Sequence, residues 1–457
     1  MNRMNAVATS LRKFRFSAAG SGLDPPEAPD VPFSASLSLA ESDMLAVVRR
    51  NPLLLILLGA MFLRVVAVYV VQDRLQNDWK RDFVIAGDAD GYWELGRKLA
   101  VGEEFSLYSP PRRVHRMPGF PALLAVSMKL FGPSFLAARL LLAVVGTLAC
   151  WLVFLLGREV FDESVGLIAA GFAAVAPVMV GFSVLILSET LFALCLLGSL
   201  YWLAKLIAVG SEAGEQRRAI AYSLTAGVMV AIAVYVRPSW LLAAPFFAIG
   251  IVVLSDNKKQ AVVRGLLLST AAFAALLPWA YRNHSVSGHW VFTTLWAGPS
   301  LYDGLNPEAT GDSDMRFFDR EQLGQRMTEY EVDQHYRKKA WQFVEKNPGR
   351  SLQLAVVKAG RYWKPWPNAA QFDHMGYRVG VALIFIPLIV LAARGWWVYR
   401  RRVWAWLLTL GPVLYFFALH LIFVGSLRYR LPAEYPLCVL SAAGLHSWFG
   451  SGKHKET

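Results

Sequence analysis

The sequence predicts an all-α polytopic membrane protein, and three observations support this class. Of the 457 residues, 55% are hydrophobic and only 17% are charged, which is too apolar for an ordinary soluble domain. Apolar runs of about 20 residues, long enough to cross the hydrocarbon core as a helix, recur along most of the chain. Lysine and arginine gather at the ends of these runs, as in the cytoplasmic turns of membrane proteins.

The apolar runs give about ten predicted membrane-spanning helices by the length rule. Their ranges are 52–72, 134–157, 165–182, 188–207, 220–236, 240–254, 262–281, 379–393, 403–424 and 431–449. The basic turns between them place both termini in the cytoplasm and make 73–117 and 282–377 the two extracytoplasmic loop regions. Apolar residues at helical spacing predict amphipathic helices at 87–100 in the first region and at 332–343 and 352–363 in the second.

The remaining segments are predicted to be tails. Residues 1–45, rich in Pro, Ser and Ala, form a predicted disordered cytoplasmic tail, 46–450 form the transmembrane domain, and 451–457 form a second cytoplasmic tail. The net charge of +13 is spread over helix ends. This pattern excludes nucleic acid as a partner and fits contact with anionic membrane lipids.

Two acidic residues stand at the start of the first outer helix, in "IAGDADGYWELGRKL". Asp88 or Asp90 is either an N-cap or a catalytic carboxylate, and the cations discussed below favour the catalytic role. Tyr92 follows on the same helix as a candidate for orienting substrate hydroxyl groups. The "DAD" spacing also fits a divalent cation held between two carboxylates.

A cation cluster follows in "RRVHRMPGFPALLA". Arg116, next to the Pro-Gly turn, is the predicted ligand of a phosphate that arrives on a lipid anchor. Arg112 and Arg113 are instead predicted to be a solvated basic loop that binds any anionic headgroup.

Three further ionisable residues are predicted near the membrane. Glu189 opens the fourth span, Arg237 ends the fifth, and Arg64 lies inside the first. Such groups are costly at membrane depth, so each is a snorkelling anchor, half of an ion pair or part of a polar cavity. Glu189 and Arg237, together with Arg428 and Arg430 at the start of the tenth span, are expected to line one outward-facing cavity, in which Arg64 neutralises a carboxylate and Glu189 orients hydroxyl groups.

Seven short motifs, in order, carry a family resemblance. They are "GDADGYWELGRKLAVGEEF", "RMPGFPALLA", "LSETLF", "VRPSWLL", "LLPWAYRNHSVSGHWVFTT", "LYDGLNPEATGD" and "LRYRLPAEYPLCVLSAAGL". With this spacing the chain resembles polyprenyl-phosphate-dependent glycosyltransferases of the GT-C type, in the bacterial branch related to protein O-mannosyltransferases and the lipid A aminoarabinose transferase. The resemblance implies a GT-C-like helix bundle.

The resemblance also implies roles for individual residues. Asp88 occupies the position of the catalytic base, but Ala89 stands where many relatives have Glu, so the division of labour between Asp88 and Asp90 stays open. Arg116 corresponds to the donor-phosphate ligand. The "RYR" element assigns a second phosphate contact to Arg428, Tyr429 and Arg430.

The implied activity is inverting transfer of a sugar from a polyprenyl-phosphate donor to a lipid, glycan or protein hydroxyl. The implied location is the bacterial inner membrane, with the active site facing the periplasm or exterior. Arginines can neutralise a monophosphate, so no resident metal is expected, with a divalent cation as the alternative. The rival classes are a lipid or anion transporter, for which no repeated halves are visible, and an envelope polysaccharide polymerase or ligase.

Overall fold

The computed structural model describes residues 51–210, 213–367 and 374–449. The predicted tails at 1–45 and 451–457 lie outside these ranges. Within them the chain forms helices, turns and loops, without a β-strand. The predicted all-α class is therefore confirmed.

Eighteen α-helices follow one another along the described chain. The first ten are α1 (Pro52–Asp73), α2 (Ala86–Val101), α3 (Gly119–Phe131), α4 (Phe135–Val160), α5 (Glu163–Val175), α6 (Pro177–Phe182), α7 (Glu189–Ala208), α8 (Gln216–Val236), α9 (Ala243–Leu254) and α10 (Lys258–Ser287). The others are α11 (Ala297–Gly304), α12 (Arg316–Glu321), α13 (Glu329–Lys346), α14 (Pro348–Trp363), α15 (Met375–Val398), α16 (Val403–Thr409), α17 (Gly411–Ile422) and α18 (Leu427–Phe449).

The amphipathic helices predicted in the loop regions are α2, α13 and α14. The α13 helix begins at a capping box, in which Thr328 and Glu331 satisfy each other's backbone amides. It ends at Asn347, because Pro348 cannot continue the helix and instead begins α14. Local capping and proline signals thus fix these boundaries.

Six helices are long and apolar enough to cross a membrane within the described ranges: α1 with its π-helical extension to Asp78, α4, α7, α8, α10 and α15. The pair α16 and α17, bent by 52°, would make a seventh span. The chain is a multi-pass membrane protein. The count of about ten spans stays a prediction, because α3, α5 and Pro238–Leu254 are apolar but shorter.

The third predicted span, 165–182, is not one helix. The α5 helix ends at Val175, where the backbone turns extended at Ala176 before Pro177. Proline lacks the amide hydrogen and disfavours a helical residue before it.

Arg64 occupies this helix end. Its buried guanidinium donates hydrogen bonds to the carbonyl oxygens of Ala173 and Ala174, at 3.3 Å each. A cation at a helix C-terminus is favourable because the last carbonyls carry partial negative charge. In the described part of the chain no carboxylate pairs with Arg64, so its predicted role in neutralising a cavity carboxylate is wrong.

The α18 helix runs through the middle of the bundle. Every residue from 430 to 444 is buried, as expected for a helix enclosed on all sides. It packs closely on α15, where a Cβ at Gly395 would lie 2.2 Å from the carbonyl oxygen of Leu440. Small residues allow this kind of close approach between membrane helices.

We expect Gly395→Ala to destabilise the protein by about 1–3 kcal/mol, because the added methyl group forces α15 and α18 apart. The matched control is Gly380→Ala on the same helix, where a Cβ meets nothing within 4 Å. That control should leave stability within about 1 kcal/mol of wild type. Unfolding in mixed detergent–SDS micelles measures both, and equal losses would contradict the close-packing argument.

Candidate active site

The α2 helix carries Asp88 in its first turn. Its N-cap is Ile85, and no side chain caps the helix, so the alternative role of Asp88 as an N-cap is wrong. The helix lies close to α3, because a Cβ at Gly96 would lie 2.8 Å from Cβ of Leu124. The Asp88 carboxylate does not cap the backbone amides of this helix. It pairs instead with two arginines.

The Pro-Gly turn after Arg116 has a steric purpose. A Cβ at Gly119 would lie 2.7 Å from the carbonyl oxygen of Tyr235, so only glycine permits the start of α3 to touch the end of α8 at this distance. This contact brings Arg116, just before α3, and Arg237, just after α8, to the same level of the bundle.

Arg428 is positioned by the outer helix α14. Lys358 of α14 is fully buried and its Nζ donates to the carbonyl oxygen of Ile422 at 2.6 Å, at the C-terminus of α17. Glycine at 425 lets the chain approach the Lys358 backbone, since a Cβ there would lie 2.6 Å from its carbonyl oxygen. Arg361 donates to the Gly425 carbonyl at 3.3 Å. These contacts hold the turn that leads into the first residues of α18.

Five charged side chains meet at this level and form the charged cluster: Asp88, Arg116, Glu189, Arg237 and Arg428. The Asp88 carboxylate lies 2.6 Å from Arg116 and 2.7 Å from Arg428. Glu189 accepts from Arg428 and, at 2.7 Å, from Arg237. The side chain of Glu189 is 0% exposed and that of Asp88 28% exposed. The cluster therefore alternates in sign, and of its two carboxylates Asp88 is the more exposed.

Electrostatics keep the Asp88 carboxylate ionised. Burial alone would raise the pKa of Asp88, but the guanidinium groups of Arg428 and Arg116 hold it well below its usual range. Three guanidinium groups face two carboxylates in the charged cluster, so one positive charge is left uncompensated. A monoanion of suitable shape would complete the balance.

Two buried polar atoms of the charged cluster lack a hydrogen-bond partner among the described residues: Nε of Arg116 and Oε2 of Glu189. Buried polar atoms are normally paired, so unpaired ones in a charged site are candidates for contact with a ligand or a water molecule. One is a donor suited to an oxyanion, and the other is an acceptor suited to a hydroxyl group.

Aromatic and hydroxyl groups flank the charged cluster. The Tyr92 ring lies 4.9 Å from the Arg116 guanidinium, and its hydroxyl group lies 3.3 Å from Oγ of Ser188. The Tyr429 ring lies 5.6 Å from the Arg237 guanidinium. Ser188 was not among the predicted site residues, although its place directly before Glu189 was a usable signal.

Asp90 does not take part in the charged cluster. It is exposed, and among the described residues no ion pair or hydrogen bond involves its side chain. Residues two apart on a helix point to opposite sides, so Asp88 and Asp90 do not face one ion. Within the described ranges, no group of three His, Cys, Asp or Glu side chains comes together. The expectation of no resident metal stays a prediction.

Arg430 also lies outside the charged cluster, contrary to its assignment as a phosphate contact. Its buried Nε lies 2.5 Å from Glu434, and its NH1 donates to the carbonyl oxygens of Tyr362 and Lys364. The α18 helix begins at Leu427, so positions 428 and 430 face different sides. Arg430 therefore joins α18 to the end of α14.

Comparisons with known proteins show which families and folds the chain resembles. A family model described as "Dolichyl-phosphate-mannose-protein mannosyltransferase" matches residues 115–281, a range that includes Arg116, Glu189 and Arg237. No curated protein sequence matches the chain at a significant level.

Solved structures of membrane glycosyltransferases resemble the fold. The oligosaccharyltransferase AglB from Archaeoglobus fulgidus, in complex with an inhibitory peptide and a dolichol-phosphate, matches with a TM-score of 0.52 and 16% identity over 90% of this chain and 53% of that chain. Its apo form gives a TM-score of 0.55, with 17% identity, 86% of this chain and 51% of that chain. ArnT from Cupriavidus metallidurans, bound to undecaprenyl phosphate, gives 0.37, with 14% identity, 87% of this chain and 77% of that chain.

The predicted resemblance to GT-C glycosyltransferases is confirmed by the family model together with the structural similarity. The similarity to the archaeal oligosaccharyltransferase, with TM-scores above 0.5 at 16% and 17% identity, establishes the fold alone. The chain spans about half the length of the archaeal oligosaccharyltransferases it matches.

Proposed function

We propose that the protein is a membrane glycosyltransferase that transfers a sugar from a polyprenyl-phosphate donor to a hydroxyl group of a lipid, glycan or protein. The observation that carries the proposal is the charged cluster, in which three arginines face two carboxylates at one level of a membrane bundle. The matched family model and the dolichol-phosphate bound to AglB support a lipid-linked donor.

The donor phosphate binds to the guanidinium groups of Arg116 and Arg428. A phosphodiester carries one negative charge, which matches the single uncompensated positive charge of the cluster. Arginine suits this task because its planar fork donates two parallel hydrogen bonds to phosphate oxygens. The unpaired Nε of Arg116 supplies one of these donors.

Asp88 accepts the proton of the acceptor. The acceptor oxygen attacks the anomeric carbon, the bond from that carbon to the phosphate oxygen breaks, and the hydroxyl proton passes to the Asp88 carboxylate. Polyprenyl phosphate leaves with its charge held by the arginines, and the single displacement inverts the anomeric centre. Phosphate binding to Arg116 and Arg428 weakens their field at Asp88, which raises its pKa and makes it a better base.

Glu189 and Tyr92 orient the sugar and the acceptor. The unpaired Oε2 of Glu189 accepts a hydrogen bond from a sugar hydroxyl, and the Tyr92 hydroxyl, next to Ser188, adds a second polar contact. Arg237 keeps the other oxygen of Glu189 occupied. A buried carboxylate held by two arginines stays ionised and fixed in position.

The active site faces the exterior or periplasm of a bacterial inner membrane, and both termini are cytoplasmic. This orientation rests on the basic turns between the apolar helices, such as 400–402 with three arginines. On that side no nucleotide sugar is available, so a lipid-linked donor is required.

The test uses purified protein in lipid nanodiscs with a panel of polyprenyl-phosphate donors that carry a radiolabelled sugar. We expect label in an acceptor fraction together with release of free polyprenyl phosphate. The same protein in proteoliposomes is used to test the rival transporter class. Movement of intact donor across the bilayer without release of polyprenyl phosphate would establish a transporter instead.

A further inference from the structure

A cavity with a mixed polar and apolar lining lies in the outer region, and none of the five residues of the charged cluster lines it. It has a volume of about 240 Å³ and lies between the loop at 110–113, the end of α10 and the start of α13. Its lining includes Arg112, Trp296, Met327, Glu329 and Tyr330. It therefore combines a guanidinium group with flat aromatic walls.

The Arg112 guanidinium is flanked by aromatic rings, and the nearby Glu329 carboxylate favours its charged form. Its guanidinium carbon lies 4.6 Å from the ring centre of Phe318, 5.1 Å from that of Tyr108 and 5.6 Å from that of Trp296. Among the described residues, no side chain or carbonyl accepts a hydrogen bond from the guanidinium. Burial lowers the pKa of Arg112, which reflects a cation only partly compensated for its lost hydration.

The neighbouring charges are already partnered. Arg113 lies 2.5 Å from Glu104. The Glu329 carboxylate accepts from the backbone amides of Arg113, at 2.9 Å, and Val114, at 3.0 Å. Within the described chain, the guanidinium donors of Arg112 are therefore open to an incoming anion.

The cavity and the charged cluster are joined by one short segment. Arg112 and Arg116 are four residues apart, and four residues of fully extended chain reach about 14 Å at most. The backbone amide of Leu295 donates to the Val114 carbonyl at 2.8 Å and fixes the segment between them. The backbones of Arg112 and Arg116 therefore lie within a distance that one elongated substrate can span.

On the basis of the proposed function, we infer that this cavity is the acceptor subsite and that Arg112 binds an anionic group, carboxylate or phosphate, of a saccharide acceptor. The guanidinium, whose position is already fixed by contacts with aromatic rings, donates a bidentate pair of hydrogen bonds to the anion. The rings of Trp296 and Tyr330 provide flat apolar faces for the sugar ring. This proposal differs from the sequence-based expectation of a solvated basic loop at Arg112 and Arg113.

The test measures binding without any transfer. Saturation-transfer NMR on the purified wild-type protein uses glucuronic acid and glucose 6-phosphate as anionic probes and glucose as the neutral match. We expect signals from the anionic probes and little from glucose. Arg112→Gln should weaken anionic binding about tenfold or more, as for loss of a charge-assisted hydrogen-bonded pair, and Arg112→Lys should weaken it less.

The matched control is Arg320→Gln, which removes an equal charge from the same outer region at an exposed residue paired with Glu308. It should bind the probes like wild type. Equal binding of glucose and the anions, or undiminished binding by a folded Arg112→Gln variant, would overturn the inference while the sugar-transfer proposal stands. Failure of all donors in the transfer assay would overturn the proposed function while the binding result stands. Stronger binding of glucuronic acid indicates that the site takes a carboxylate, and stronger binding of glucose 6-phosphate indicates that it takes a phosphate.

Discussion

Asp88→Asn is expected to reduce sugar transfer by about 10² to 10⁴-fold, the range typical of a lost general base. Donor affinity should be kept or increased, because removal of the negative charge leaves Arg116 and Arg428 free for the phosphate. The measurement combines initial rates with radiolabelled donor and equilibrium binding of the same donor.

The matched control for this variant is Asp90→Asn, two residues away on the same helix. Asp90 is exposed and outside the charged cluster, so the control should transfer sugar at close to the wild-type rate. A wild-type rate for Asp88→Asn would remove Asp88 from the role of base. Loss of transfer and of donor binding together would instead make Asp88 a structural partner of the arginines.

Arg428→Gln is expected to lose both transfer and stability. Arg428 pairs with Asp88 and with the fully buried Glu189, and removal of one partner from a buried pair typically costs about 3–5 kcal/mol. Unfolding in mixed detergent–SDS micelles measures the loss. The double variant Arg428→Gln with Glu189→Gln should regain part of this stability but not activity, because the buried negative charge is gone while the phosphate ligand is still missing.

A second comparison separates the two arginines of the "RYR" element. Arg430→Gln should lower stability, because Glu434 is left without its cation, yet the folded variant should bind donor like wild type. Donor binding that depends on Arg430 as strongly as on Arg428 would contradict the assignment of Arg428 to the phosphate and of Arg430 to a structural contact.

Local sequence signals predicted the outer helices well. The helix that carries Asp88 was expected at 87–100 and spans Ala86–Val101, and the break at Asn347-Pro348 lies where proline placed it. These features depend on neighbouring residues in the chain, through helical periodicity and missing backbone donors. The sequence is therefore sufficient for them.

Side-chain direction could not be predicted in the same way. Arg428 and Arg430 were assigned together as parts of one "RYR" element before a last helix expected at 431, whereas that helix begins at Leu427 and turns the two residues apart. The partners of Arg64 lie 109 and 110 residues away, at a helix end that forms only because of Pro177. Both outcomes depend on contacts distant in sequence, and the same holds for Arg112 and its ring of aromatic side chains.

The central position of α18 has a consequence for biogenesis. The helix that carries Arg428 is the last one described, and its buried stretch from 430 to 444 is enclosed by helices that precede it in the chain. A ribosome-bound intermediate that lacks it would hold Asp88 and Glu189 without their shared cation. The charged cluster is therefore complete only after α18 has been synthesised, later than every other helix of the described chain.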